Sequence, residues 1–270
     1  MKYEILFAFR EYLQNTCSPN TAKRYYYTLE KLLADQQFSK VQEINFSHLI
    51  DRIKRLKTRN EISAAKNALK HFGECFSGFS PIPDPLFKEL SESALKGVPQ
   101  QGKELDLKRT LHKINGVRDE KLRLALRLML ASGARVSETA ALEKQDIVLD
   151  GNRLEIEIRH GKGGSNGIVT CRADLYLANA LLPFLSSYAP QDRPFYAAKT
   201  LEEKAHNLGI ECHDLRRIAA QLRLQEARKE EKASRKEAQE ATRKFLRHKS
   251  FKTTSRYLTY RPLKQGDPNE

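Results

Sequence analysis

The chain has 270 residues, with 48 Lys plus Arg against 34 Asp plus Glu and a formal net charge of +14 at neutral pH. Its 40% hydrophobic and 30% charged residues exclude a disordered or fibrous protein, and the length suffices for one large domain or two modest ones. The cationic surplus points to a polyanionic partner, nucleic acid first and an acidic membrane surface second. A membrane span is excluded at this stage, because the longest apolar stretch, Leu175 to Ala189, is short and is interrupted by Asn179 and Pro183.

No signal-peptide pattern opens the chain and no GxxxxGK[ST] loop occurs in it. Cys17, Cys75, Cys171 and Cys212 form no CxxC pair, and no histidines fall at metal-ligand spacing. These features predict a cytoplasmic protein with reduced thiols, no metal and no cofactor.

The first section, to about Lys96, reads as helices. Leu6, Phe9 and Leu13 form one apolar stripe. Ser18-Pro19-Asn20-Thr21 is a helix start, with small polar caps and Pro near the first turn. The helix it opens carries Tyr25, Leu29, Leu32 and Leu33 inward, and two more follow around Phe46–Leu56 and Glu61–Phe76. Phe79 to Pro85 is a Pro-rich break, and Gly97 to Gly102 is a second, polar one. The second break sets the expected organisation: a helical domain over 1–98, a linker over 99–104 and a second domain over 105–270.

Leu105 to Ser132 reads as mostly helical, with a dense run of leucines for a core. Arg153 to Arg159 alternates apolar and charged residues, which is the strand period. A Gly-rich turn over 160–167 and a returning strand from Ile168 complete a hairpin. Helix resumes at Leu175. From Gln225 to Lys244 the only apolar residues are alanines among mixed charges, which predicts one inserted, exposed helix laced by pairs such as Glu231–Arg235 and Glu240–Lys244. The fold class expected is mainly α with a small β-hairpin or sheet.

Four segments stand out for chemistry. The first is Gly133-Ala134-Arg135-Val136-Ser137-Glu138, a helix end followed by a new helix. The second is Lys162 among glycines at the hairpin tip. The third is His213-Asp214-Leu215-Arg216, whose His and Arg share a helix face. The fourth runs from Leu246-Arg247-His248-Lys249-Ser250 through Thr253-Thr254 to Tyr257. Each alone has an ordinary reading: a surface cation, a solvated Lys, a core tyrosine.

In this order and context the four segments resemble the tyrosine recombinase (phage-type integrase) family. The family pattern is Gly-x-Arg-x-Ser-Glu, a hairpin Lys, His-x-x-Arg, then Leu-x-His-Lys-Ser, Thr-Thr and Tyr. Here it falls on Arg135, Lys162, His213, Arg216, His248 and Tyr257. The resemblance covers essentially the whole chain and implies a helical, SAM-like core-binding domain followed by a tyrosine recombinase catalytic domain. It implies Tyr257 as nucleophile, forming a 3′-phosphotyrosyl link to DNA. Arg135 and Arg216 then clamp the phosphate by forked hydrogen bonds, and Lys162 protonates the leaving 5′ oxygen. His213 is the candidate base, His248 a donor to the phosphate, and Glu138 the carboxylate that orients the cations. Two transesterifications conserve bond energy, so no cofactor is implied.

The implied partners are a double-stranded DNA recombination site, gripped by a homo-tetramer on two sites, with accessory DNA-bending proteins or a host recombinase as further candidates. Lys23, Arg24, Lys57, Arg59, Lys66 and Lys70 are the candidate DNA contacts of the first domain. Integration, excision or resolution of a mobile element is the expected setting, with the protein cytoplasmic and associated with the nucleoid. A non-catalytic DNA-binding regulator with the same fold and a type IB topoisomerase are the rival readings.

The sequence departs from the pattern in three places. His213 and His248 are widely separated, by the charged segment. The tail after Tyr257 is shorter than in members that exchange a C-terminal helix between protomers, which puts that contact in doubt. Arg247 stands where Gly often precedes the His, and because a left-handed turn suits Arg poorly, the helix is expected to continue through it.

Overall fold

The apolar stripe of Leu6, Phe9 and Leu13 lies on the inner side of α1 (Lys2–Thr16) in the computed structural model. That structure describes residues 2–79, 84–93, 105–159, 161 and 165–258. The chain divides into two units, Met1–Gln100 and Gln101–Glu270. The linker expected at 99–104 lies outside the described residues.

The first unit continues with α2 (Pro19–Leu32), α3 (Phe46–Lys54), α4 (Arg59–Cys75) and α5 (Asp84–Ser93). Pro19 opens α2, where a missing N–H costs nothing. Ser18 does not cap that helix; its hydroxyl bonds the Thr21 hydroxyl at 2.9 Å. Thr58 and Glu61 form a reciprocal capping box at the start of α4. Phe72 sits at the centre of the core, its ring edge-on to those of Phe9 and Phe79 at 5.2 and 4.9 Å. Helix resumes at Asp84, inside the expected Pro-rich break, with Pro85 in the tolerated first turn.

The second unit opens with α6 (Leu107–Asn115), α7 (Glu120–Ser132) and α8 (Val136–Ala141). A three-stranded antiparallel sheet follows in the order β1 (Ile147–Asp150), β2 (Arg153–Ile158), β3 (Gly167–Arg172). Its register pairs Ile156 with both Ile147 and Val169, so three β-branched side chains share one buried face. Strand β1 escapes sequence reading because four residues are too few for a period; only pairing with β2 defines it. The second unit continues with α9 (Leu175–Leu185), α10 (Ala198–Asn207), α11 (Cys212–Lys229), α12 (Arg235–Phe245) and α13 (Phe251–Leu258). Helix α7 is buried nearly all round, Leu124, Leu126, Leu128 and Met129 being fully enclosed, because the sheet and helices α9, α10 and α11 surround it.

The single charged helix expected over about 225–244 is two helices. Ser234 and Glu237 make a capping box that starts α12, and Lys232 takes φ +50° in the turn before it. Ala227 and Ala238 are fully buried where α11 and α12 meet. The alanines are therefore a close-packed seam, not the bare side of a solvated helix. The expected ion pairs also change partners. Glu231 bonds Arg223 at 2.5 Å, and Glu240 bonds Arg243 at 2.7 Å. Helix α12 does not continue through Arg247 either: it ends at Phe245, and Arg247 takes φ +54°. Among the described residues no helix is long and apolar enough to cross a membrane.

Candidate active site

The site grows from one tight turn in the second unit. Gly133 ends α7 in the left-handed conformation, with φ +63°. A Cβ there would meet Phe245 at 3.1 Å and Leu246 at 3.2 Å, so the position needs glycine for room as well as for φ. The turn delivers Arg135 to the N-terminus of α8. Glu138 there accepts from the Arg135 backbone N–H at 2.8 Å and from its Nη1 at 2.6 Å. Glu138 is only 2% exposed. Burial pushes its pKa up, but Arg247 and Arg135 outweigh burial and hold it below the ordinary carboxylate value. It is an ionised, buried anchor.

Two more guanidinium groups converge on that carboxylate. Arg247 Nη2 donates to Glu138 Oε2 at 2.6 Å, and Arg216 Nη1 lies 4.0 Å from the same oxygen. Arg216, on the first turns of α11, is 1% exposed. It donates to the carbonyls of Gly133 and of Leu246, which ties the ends of α7 and α12 together. Burial, then Arg135, lowers its pKa to about 10, so it stays cationic at neutral pH. Its Nε has no hydrogen-bond partner among the described residues.

His248 lies beside Arg216, with Arg216 Nη2 at 3.2 Å from its Nε2 and Thr254 Oγ1 at 3.0 Å from its Nδ1. A guanidinium only donates, so Nε2 accepts and Nδ1 carries the proton. Burial, then Arg216 and Arg135, lowers the His248 pKa from 6.5 to about 4, and the ring is neutral at neutral pH. In this state His248 has no free N–H for an anion; a donated bond requires Arg216 to turn toward that anion first. Arg216 fixes the tautomer, and Thr254, fully buried on α13, accepts from Nδ1.

Tyr257 completes the group. It is 8% exposed, with its ring centroid 5.1 Å from that of His248 and 5.3 Å from that of His213. The Arg216 Cζ lies 5.9 Å from the ring centre. His213 stands on the first turn of α11, three residues before Arg216, and partial desolvation followed by Arg217 and Arg216 lowers its pKa. It is unprotonated at neutral pH and so able to take a proton. The fold thus brings Arg135, Glu138, His213, Arg216, His248 and Tyr257 into one cluster within one unit. Lys162 lies outside the described residues.

The six candidate contacts of the first unit divide into three sets. Arg24 and Lys57 line a cavity of about 740 Å³ together with Lys31, Arg52 and Arg55. Lys23 lines a smaller one, of about 460 Å³, beside Arg10, Tyr26 and Tyr27. Lys66 is paired with Asp84 at 2.9 Å and Lys70 with Glu74 at 3.8 Å, while Arg59 is an exposed first residue of α4. Lys31, Arg52 and Arg55, with Arg10 at the smaller cavity, are cavity-lining cations that sequence reading passes over. Arg24 and Lys31 lie seven apart on α2, and Arg52, on α3, lies three before Arg55 at the C-cap of that helix, spacings that each put a pair on one face.

No protein-family model and no curated protein sequence matches the chain. Solved structures do. A lambda integrase tetramer bound to a Holliday junction is 14% identical and superposes with a TM-score of 0.62, covering 98% of this chain and 79% of that one. The Tn1549 transposon integrase in complex with transposon right-end DNA is 12% identical, with a TM-score of 0.60 over 98% of this chain and 96% of that one. The XerH site-specific recombinase bound to a palindromic difH substrate is 17% identical, with a TM-score of 0.61 over 90% of this chain and 77% of that one. This likeness shows the tyrosine recombinase fold.

Proposed function

We propose that this chain, which has the fold of the tyrosine recombinases, is a site-specific DNA recombinase acting through a 3′-phosphotyrosyl intermediate. The observation that carries the reading is the packing of Tyr257 against His213 and His248 beneath the Arg216 guanidinium. A free tyrosine hydroxyl, with pKa near 10, is a weak nucleophile and needs a neighbouring base. His213, neutral and within reach of the Tyr257 ring, takes that proton. Tyr257 Oη attacks the phosphorus of a DNA diester, forming a new P–O bond as the bond to the 5′ oxygen breaks. Lys162 supplies the proton that the departing 5′ oxygen needs. Arg135 and Arg216 neutralise the non-bridging oxygens as negative charge builds on them; the buried Nε of Arg216 is a donor that its backbone anchors leave unpartnered. A 5′-hydroxyl from a second duplex then attacks the phosphotyrosine and reseals the strand, so the number of phosphoester bonds is unchanged.

The same proposal covers the DNA partner and the assembly. Arg24, Lys31, Arg55 and Lys57 around one cavity of the first unit offer a phosphate-backbone contact. A tetramer on two recombination sites, by likeness to the lambda integrase tetramer, is the assembly that two strand exchanges require, and movement of a mobile element is the setting proposed for it. The test uses duplexes selected from a random library for binding to the protein, then nicked beside the candidate cleavage position. Wild type is expected to accumulate a covalent protein–DNA adduct and Tyr257→Phe none. Adduct formation by Tyr257→Phe overturns the assignment of the nucleophile. Specific DNA binding without any adduct from wild type identifies a non-catalytic regulator instead, and relaxation of supercoils without sequence preference a topoisomerase.

A further inference from the structure

Arg247 has no part in the reaction set out above, yet three observations set it apart. First, it holds φ +54°, a left-handed conformation that a side chain with a Cβ disfavours and that usually falls to glycine at a helix end. A backbone outlier kept at a site is a pointer to function. Second, its side chain is 6% exposed and turned into the cluster, where Nη2 donates to Glu138. Its Nε and Nη1 have no partner among the described residues. Third, the aliphatic part of the chain passes 3.8 Å from the place a Cβ on Gly167 would occupy, at the base of the strand that returns from the hairpin tip.

The charges of the cluster do not balance. Arg135, Arg216 and Arg247 carry three positive charges, Glu138 one negative charge, and His248 is neutral. The Glu138 oxygens are already occupied by Arg135 and Arg247. A mostly buried group with an excess of two positive charges is costly unless an anion joins it. A phosphodiester brings one negative charge, and its five-coordinate transition state brings two. Arg247 adds one guanidinium charge beyond those of Arg135 and Arg216, and an interaction that strengthens as the second negative charge develops is one that raises the rate.

We infer that Arg247 is a third phosphate-binding residue of the site, whose buried, unpartnered Nε and Nη1 donate to a non-bridging oxygen of the scissile diester as the second negative charge develops. The inference rests on the recombinase reading, and the test separates the two. Wild type, Arg247→Gly and Arg247→Lys are compared on a nicked duplex whose scissile phosphate is either an ordinary diester or a methylphosphonate, which lacks one non-bridging charge. Glycine suits the left-handed backbone and Glu138 keeps its bonds to Arg135, and thermal unfolding of the Gly variant checks that it is folded. On the diester, Arg247→Gly is expected to slow adduct formation about 100-fold, the size of one lost transition-state donor, with Arg247→Lys recovering part of the loss. On the methylphosphonate the Gly variant and wild type are expected to react at similar rates. Equal rates on the diester would mean no role in the reaction, equal slowing on both substrates a structural one, and either would overturn the inference. If wild type forms no adduct, the recombinase reading fails, and thermal unfolding with inorganic phosphate decides the anion site alone. Stabilisation of wild type but not of Arg247→Gly supports it, and equal shifts, or none, overturn it.

Discussion

Glu138 is the residue on which the site turns. A buried carboxylate that loses its charge leaves its cations unpaired, and removing one partner of a buried ion pair costs about 3–5 kcal/mol. Glu138→Gln should therefore lower the unfolding free energy by an amount in that range, measured by urea denaturation. Lys70→Ala, at an exposed pair with Glu74, should leave it unchanged by the same measurement. His248 makes stability depend on pH. Its folded-state pKa is near 4 against 6.5 for the free ring, so between these values the unfolded chain binds a proton that the native chain refuses. Stability from this group is complete above pH 6.5 and is lost as pH falls toward 4. Glu138 adds to the loss at lower pH, because its depressed pKa gives stability that is present above the ordinary carboxylate value and disappears on acidification through the folded value. Unfolding midpoints measured from about pH 7 down to about pH 4.5 should fall, and His248→Asn should flatten that slope.

At the scale of elements, the Gly133 turn and the break between α11 and α12 matter most. Gly133→Ala puts a Cβ 3.1 Å from Phe245 and 3.2 Å from Leu246 on a left-handed backbone. The expected loss is about 1–3 kcal/mol, seen in urea denaturation, together with a slower adduct reaction because the Gly133 carbonyl anchors Arg216. Much at this scale is legible in the sequence. Helices α1, α2, α3, α4 and α7 announce themselves by apolar spacing, and the β2–β3 hairpin by alternation around a Gly-rich turn. What is not legible has one physical cause. The alanine seam of α11 and α12 carries no apolar period, since a small side chain buried between helices looks in sequence like one exposed to water. The left-handed Arg247 is hidden in the same way: intrinsic preference argues for continued helix, and a bond to Glu138 at 2.6 Å lies on the other side of the balance.

For the whole molecule the net charge of +14 is best examined through salt. Binding that releases counterions from DNA weakens linearly in log affinity against log salt, in proportion to the number of phosphates neutralised. Arg55→Ala and Lys57→Ala, at the exposed mouth of the basic cavity, should each reduce that slope by about one. Lys66→Ala should reduce it less, because that ammonium already sits 2.9 Å from Asp84. Fluorescence anisotropy at several salt concentrations reads both effects. The six contacts chosen from sequence thus divide by their neighbours, which no count of cations reveals.

The sequence by itself determined the residue types of the site, their order along the chain and most of the helices that carry them. These are local properties: spacing, caps, turn residues and the sign of the charge. Only the tertiary structure decided which donors are already used and which are open. It gathered guanidinium groups from positions 135, 216 and 247 around one carboxylate at 138. It also set the proton of His248 on Nδ1, between Arg216 and Thr254. The reason is distance along the chain. Arg247 and Glu138 are 109 positions apart, and a contact of that span leaves no period in the sequence. Burial then turns such contacts into charge states and open hydrogen-bonding sites, which is the level at which the chemistry is set.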